Sequence, residues 1–423
     1  MTDALSVQTS SSSSLKHTLQ KCYTPTDVLD RVVPLLSVDQ DPDGSIASLA
    51  LVRLSRQLIH LDNTDQLHRS DLCRPTITTT TTTTTTSHWE QLAQTLTDGI
   101  VSTSTIVDNK DKSINIDVHV EAIKSIAVTC RILPELTTIW ETYLQSFHDY
   151  CCYCSADTSI HDENTTIFRP DQLSGLQWAY DSLALHVDDP QETYRMPPTL
   201  QRLYESLDLP FRVIPGCLTQ QQQRQDTALS VSSLVQQVAF RVDDIRTTST
   251  GKVVKERRQT AWEGDNGVPA FRYSGKAMET MPWSPLVRHV RTVLTKRTNQ
   301  YYDCCLLNHY PDGGSGMRYH IDPDQGALWD YATAVVSVGA TRRFAFRAID
   351  NHNDDDNNKN NKPHNFVLFD GDVTEMFGDC QARFQHTVKT ADDKKEKAAR
   401  ASLVFKRTWS GRDGIDNGVV MTT

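Results

Sequence analysis

The sequence predicts an α+β protein: a mostly α-helical N-terminal region followed by a C-terminal β-rich core of the double-stranded β-helix, or jelly-roll, kind. Three observations predict it. Apolar residues recur close to a 3.6 period through much of the stretch from Pro25 to Leu207. After Leu209 the texture changes to short β-branched and aromatic runs bounded by Gly, Pro and Asp. Those runs are many and in series, which is the pattern of a barrel or jelly roll. At 423 residues the chain has room for two domains, each able to bury a core.

Residues 1–20 are Ser-rich and read as a disordered tail. Residues 21–207 read as a helical region. Val28, Leu29, Val32, Val33, Leu35 and Leu36 keep the helical period, and so do Ile46, Leu49, Val52, Leu54, Leu58 and Leu61. The nine threonines of 78–86 cannot pack a core and read as a linker. Helical pattern resumes over Trp89–Leu96, Val118–Phe147, Gln172–Leu185 and Thr199–Leu207. The segments ASLALVRLSRQL and LSGLQWAYDSLAL resemble each other faintly, but no regular period can be counted, so a plain helical domain is favoured over a repeat array.

Residues 208–410 read as the β-rich domain and 411–423 as a tail. Candidate strands are 304–310, 332–339, 342–349, 365–373, 382–388 and 401–407. The polar stretch 350–365 reads as a solvated insertion between two of them, with His352 and His364 given no chemical role.

Charge is uneven. Residues 1–207 hold 14 Lys+Arg and 27 Asp+Glu, so 14 − 27 = −13; residues 208–423 hold 29 and 26, so 29 − 26 = +3. The second half is compatible with a polyanionic partner. Ten cysteines are scattered, and Cys151-Cys152-Tyr153-Cys154 has no second pair at zinc-site spacing, so reduced thiols are expected. There is no apolar run long enough to cross a membrane and no secretory apolar core. The chain therefore reads as intracellular, in nucleus or cytoplasm, with an organelle-targeting segment left open.

The chemistry concentrates in His320-Ile321-Asp322, followed by His386 and Arg400. Two imidazoles and one carboxylate can hold a single Fe(II) on one face and leave the opposite positions open. An arginine supplies a planar fork for a carboxylate. Strand alternation places Asn308 and Tyr310 on one face, where both can hydrogen-bond an acid bound near the metal. Arg400 and Lys406, six residues apart in one strand, also share a face. Two cations on one inner face need an anionic partner, which a dicarboxylate co-substrate would supply. The intervening Pro311-Asp312-Gly313-Gly314 reads as a flexible connector.

The segments NHYPDGGSGMRYHIDPD, AVVSVGATRRFAF, LFDGDVTEMFG, QARFQHTV and RASLVFK resemble, in order, the motifs of AlkB-type nucleic-acid dioxygenases. Upstream, RQTAWEGDNGVPAFRYSG and PWSPLV resemble that family's nucleotide-recognition segment. The resemblance covers about Pro215 to Lys406 and leaves 1–207 untouched. It implies Fe(II) held by His320, Asp322 and His386, with 2-oxoglutarate and O₂ as co-substrates. It implies 2-oxoglutarate contacts from Asn308, Tyr310 and Arg400, base reading by Asp324, and lid aromatics at Phe271 and Tyr273 with Trp262 near them. Each aromatic is equally open to a packing role. Lys406 departs from the arginine usual at that position, which implies altered co-substrate affinity. Lys252, Lys255, Arg257 and Arg258 are candidates for phosphate contacts or for a solvated loop.

The implied activity is oxidative dealkylation of N-alkylated bases in DNA or RNA, with alkylated nucleic acid as partner. The same chemistry on a protein or small molecule is the alternative, as is a vestigial oxygenase fold beside a helical RNA- or protein-binding scaffold.

Overall fold

The computed structural model describes residues 12–36, 41, 43–72, 87–104, 115–156, 168–188, 192–218, 229–246, 251–349 and 362–409. The threonine tract, residues 1–11 and 411–423, and most of the 350–365 stretch lie outside them. The chain divides into two compact units, Met1–Ser206 and Leu207–Thr423. Among the described residues, no helix is long and apolar enough to cross a membrane.

The first unit is helical: α1 (Ser12–Gln20), α2 (Pro25–Arg31), α3 (Ser45–Asn63), α4 (Arg69–Leu72), α5 (His88–Ser104), α6 (Ile116–Ile132), α7 (Glu141–Ala156), α8 (Pro170–Ala184) and α9 (Pro198–Ser206). Residues 12–20, expected as tail, are helical because Leu15, Leu19 and Cys22 fall on one side and are buried. The pattern that runs on from Pro25 breaks at Pro34, in a 3₁₀ turn over Val33–Leu35, and Gly44, with φ of 67°, precedes the next helix. Pro134 breaks the one expected over 118–147, opening a 3₁₀ segment between α6 and α7.

These helices are stacked in two rows. In the first, α3, α6 and α8 pack side by side. Their N-termini are pinned together: Ser48 Oγ donates to the Val118 carbonyl at 2.9 Å, and Gln172 Nε2 donates to Asp117 Oδ1 at 2.9 Å. In the second row α5 packs on α7. The rings of Trp89 and Trp140 meet edge to face at 6.4 Å. The two second-row helices repeat a motif: Trp89-Glu90, Gln94 and Asp98 against Trp140-Glu141, Gln145 and Asp149. Each glutamine donates to the aspartate four residues on, at 2.7 Å in both. The unit is helical, as the periodicity predicts.

The second unit holds fourteen described strands: β1 (Phe211–Ile214), β2 (Asp244–Arg246), β3 (Val253–Lys255), β4 (Gln259–Gly264), β5 (Phe271–Tyr273), β6 (Lys276–Met278), β7 (Cys304–Tyr310), β8 (Met317–His320), β9 (Trp329–Gly339), β10 (Arg342–Ala348), β11 (His364–Leu368), β12 (Val373–Met376), β13 (Phe384–Val388) and β14 (Arg400–Thr408). A six-stranded sheet runs β1-β12-β9-β14-β7-β4 and a four-stranded sheet runs β11-β10-β13-β8, with antiparallel neighbours throughout. Phe211 of the larger sheet stacks on Phe346 of the smaller at 3.8 Å. β11 starts inside the stretch expected as a solvated insertion, because His364 is buried against Phe211 and Phe384.

The larger sheet is buried on both sides, and alternation gives each side its own chemistry. Cys305, Leu307, Val336, Val338, Ala401, Leu403 and Phe405 face a helix, Pro285–Thr298, whose Leu286, Val287, Val290 and Leu294 complete that core. The intervening positions include Asn308, Tyr310, Ser337, Arg400, Ser402 and Lys406, all buried. A polar face sealed from water is where binding chemistry can be built.

Leu403, fully buried in the apolar layer, sets an expectation. Leu403→Ala should lose about 2–5 kcal/mol in urea unfolding, whereas the exposed Leu35→Ala should stay within about 0.5 kcal/mol. Equal small losses would contradict the core described here.

Candidate metal centre

His320 closes β8, His386 lies in β13, and the two are cross-strand partners. Pairing brings their ring centroids to 4.2 Å. Asp322, two residues beyond the end of β8, places Oδ1 3.7 Å from Nε2 of each imidazole. Among the described residues this is the one group of three metal-ligating side chains whose ligand atoms all lie within 4.8 Å of one another. Nδ1 of His320 is 2.9 Å from the Arg318 carbonyl. That contact makes Nδ1 the protonated nitrogen and leaves the Nε2 lone pair facing Asp322.

The electrostatics suit a cation. Burial pushes His386 down to about 3, with His320 acting in the same direction and Asp322 against it. Burial also lowers His320, again opposed by Asp322. Burial alone would raise Asp322, but the Lys406 ammonium and the two imidazoles hold its carboxyl well below the usual range. Two neutral imidazoles and one carboxylate are the states a divalent metal requires.

Beside this triad lies a set of buried polar atoms without protein partners: both side-chain atoms of Asn308, the Tyr310 hydroxyl, and Nε and Nη1 of Arg400. Register explains their convergence. Tyr310 is opposite Arg400 across β7 and β14, and Asn308 is opposite Ser402. The Arg400 guanidinium sits 5.6 Å from the Tyr310 ring centroid and gives one bond, from Nη2 to Ser337 Oγ at 2.9 Å. Burial lowers Arg400 to about 10, so it is still a cation at neutral pH. A buried guanidinium with no carboxylate among its hydrogen-bond partners costs several kcal/mol, on the order of 2–5, unless an anion joins it. Most of these orphaned atoms are donors, so a bound dicarboxylate fits them. The triad's donor set fits Fe(II).

Lys406 goes elsewhere. Its fully buried ammonium lies 2.6 Å from Asp322 Oδ2, so it joins the metal-binding carboxylate and not the Arg400 cluster. The connector 311–314 is pinned and not loose: the Gly313 N–H donates to the Glu396 carbonyl at 2.6 Å, and a Cβ there would meet the Asp393 carbonyl at 2.7 Å.

The aromatics expected in a lid divide. Trp262 is buried, with Nε1 donating to the Pro269 carbonyl and to Thr280 Oγ1, both at 3.1 Å. Phe271 is packed between Trp262 and Trp329, at 4.8 and 5.9 Å between centroids. Tyr273 alone of the three is half-buried; its hydroxyl donates to Glu256 Oε1 at 2.9 Å, and Lys276 and Arg258 lie over its ring. The four upstream cations also divide. Lys252, Lys255 and Arg257 are exposed, whereas Arg258 turns inward, pairs with Glu256 at 2.9 Å and keeps a buried Nε without a partner. Asp324 is exposed at φ 57°, and its carbonyl accepts from the N–H groups of Ala327, Leu328 and Trp329.

Sequence reasoning missed Thr333, Ser337, Gln325 and Gln381. Gln381 Oε1 accepts from the Asp322 backbone N–H at 2.9 Å. Thr333 and Ser337 did leave a signal, as polar residues at even spacing within the apolar run ATAVVSVG.

Residues 210–407 match the family model "2OG-Fe(II) oxygenase superfamily". The chain is 28% identical over 176 residues to the mimivirus "Uncharacterized protein R406", covering 42% of this chain and 86% of that one. It is 32% identical over 100 residues to human "DNA oxidative demethylase ALKBH2", covering 24% of this chain and 38% of that one. It is 27% identical over 153 residues to rat "Alpha-ketoglutarate-dependent dioxygenase alkB homolog 3", covering 36% and 50%. The chain thus spans half or less of the length of these two mammalian relatives. The solved structure titled "The structure of OsALKBH1" aligns with 47% of this chain and 98% of its own at 16% identity and a TM-score of 0.32.

Because burial pushes His386 down to about 3 and lowers His320 as well, metal uptake should weaken little on mild acidification. Equilibrium dialysis with Co(II) at about pH 6 and about pH 8 should give nearly the same affinity. A loss of about tenfold at the lower pH would show that the histidines titrate normally.

Proposed function

We propose that the C-terminal domain, a 2OG-Fe(II) oxygenase of the AlkB type that uses Fe(II), 2-oxoglutarate and O₂, oxidatively dealkylates N-alkylated bases in DNA or RNA. The observation that carries the reading is the pairing of the His320–Asp322–His386 triad with the orphaned donors of Asn308, Tyr310 and Arg400. On this reading the two facing sheets are the double-stranded β-helix of that superfamily. When bound, the iron with O₂ and 2-oxoglutarate supplies the oxidation of an N-alkyl carbon, with succinate, CO₂, an aldehyde and the restored base as products.

The chain's own residues supply placement. Arg400 holds the far carboxylate of 2-oxoglutarate, with Asn308 and Tyr310 filling its remaining acceptor positions. Burial of the polar face excludes water from the reacting centre. The half-buried ring of Tyr273 offers a stacking surface for a flipped or single-stranded base, an interaction of about 1–3 kcal/mol. Asp324, exposed on the turn after the triad, reads the base edge, and Lys252, Lys255 and Arg257 meet phosphates.

The test is turnover. With Fe(II) and 2-oxoglutarate, the chain should release formaldehyde from single-stranded oligonucleotides bearing 1-methyladenine or 3-methylcytosine. Asp322→Ala should lose at least about a thousandfold of that rate. No release from any methylated DNA or RNA by a protein that still binds metal and 2-oxoglutarate would rule the substrate class out.

A further inference from the structure

Lys406 and Arg400 share the polar face of β14, six residues apart, and their alternation suggests one two-cation clamp for a dicarboxylate. Their partners separate them. Arg400 gives a single bond to protein and keeps Nε and Nη1 unpaired. Lys406 is fully buried, and its ammonium lies 2.6 Å from Asp322 Oδ2, 2.8 Å from Gln325 Oε1 and 3.4 Å from Thr333 Oγ1. An ammonium has three N–H donors. All three are directed at protein oxygens, so no donor is left over for a co-substrate carboxylate.

The carboxylate shows what this arrangement does. Asp322 presents Oδ1 to the two imidazoles, at 3.7 Å from each Nε2, while Oδ2 is under the ammonium. Lys406 thereby fixes which oxygen is offered beside the histidines. The contact extends further through Gln325. Its Oε1 accepts from Lys406, and its Nε2 donates to the Asp330 carbonyl and to Thr333 Oγ1 at 3.2 Å. One buried cation therefore ties the ligand Asp322 to the turn 323–330, which carries Asp324. Arg407, on the opposite side of the strand, is engaged separately with Asp330.

We propose that Lys406 is a positioning residue for Asp322 and for the turn 323–330, not a second anchor for 2-oxoglutarate. This rests on the reading of the triad as a metal site. Lysine suits the task because a compact point charge can serve three acceptors at once, where a planar guanidinium favours paired acceptors in one plane. It follows that, of the two β14 cations, Arg400 alone is left to pair with the co-substrate.

The experiment reads the metal with no co-substrate present. Co(II) is titrated into the full chain and into Lys406→Met, and its visible absorption is recorded without 2-oxoglutarate. The methionine variant, checked for folding by circular dichroism, should show a shifted Co(II) band and a changed Co(II) affinity, because Asp322 is free to turn and to offer both oxygens. A wild-type band and affinity in that variant overturns the proposal. If the buried methionine is not tolerated, a crystal structure of the wild-type chain with Co(II) and 2-oxoglutarate decides. Lys406 Nζ should stay within hydrogen-bond distance of Asp322 Oδ2, and its transfer to a co-substrate carboxylate overturns the proposal. A wild-type chain that takes up no Co(II), with His320→Ala behaving identically, would overturn the metal reading itself. Absent turnover on nucleic acid would leave these spectra unaffected.

Discussion

A guanidinium sealed inside a β-sandwich without a carboxylate partner is the constraint on which the C-terminal domain depends. Arg400 is 1% exposed, and two of its nitrogens have no acceptor. Proteins tolerate such a group only where something else stabilises the fold around it. Here that is the apolar layer on the other side of the same strands, where Leu307, Val336, Leu403 and Phe405 meet the helix Pro285–Thr298. The sheet is thus a two-sided device. One face stabilises the domain, and the other holds unpaired donors in fixed positions, the arrangement an anion site would need.

The metal triad and the cation cluster are linked by strand register. β14 pairs with β7 on one side and β9 on the other, which gathers Asn308, Tyr310 and Ser337 around Arg400. Lys406, near the far end of the same strand, reaches Asp322, whose partners His320 and His386 belong to the smaller sheet. A single strand therefore runs from the unpaired donors around Arg400 to Lys406 beside Asp322, and displacement of β14 would disturb both.

Much of this was legible in the sequence because β-strand alternation is rigid. Asn308 with Tyr310, and Arg400 with Lys406, can be assigned to shared faces from spacing alone. What spacing cannot show is the partner. Lys406 and Arg400 look equivalent along the strand and differ only in what lies across from them, which depends on the turn 323–330 folding back. Trp262 and Phe271 likewise left a lid role and a packing role equally open, and each is enclosed once β4, β5 and Trp329 come together. In the N-terminal unit one likeness between helices was not legible from a count. Trp89-Glu90 and Trp140-Glu141 mark the same position in two stacked helices, yet the threonine tract and Pro134 interrupt any fixed count. The helix Ser12–Gln20 was hidden by its serines, since only Leu15 and Leu19 carry its buried side.

The central claim is that the orphaned donors around Arg400 are a dicarboxylate site. The most direct measurement is isothermal titration of 2-oxoglutarate into the Co(II)-loaded chain and into Arg400→Met. The account predicts one site in the wild type and a loss of at least about thirtyfold in the variant, equivalent to about 2 kcal/mol for a buried charge-assisted contact. Equal affinity in both proteins would contradict it.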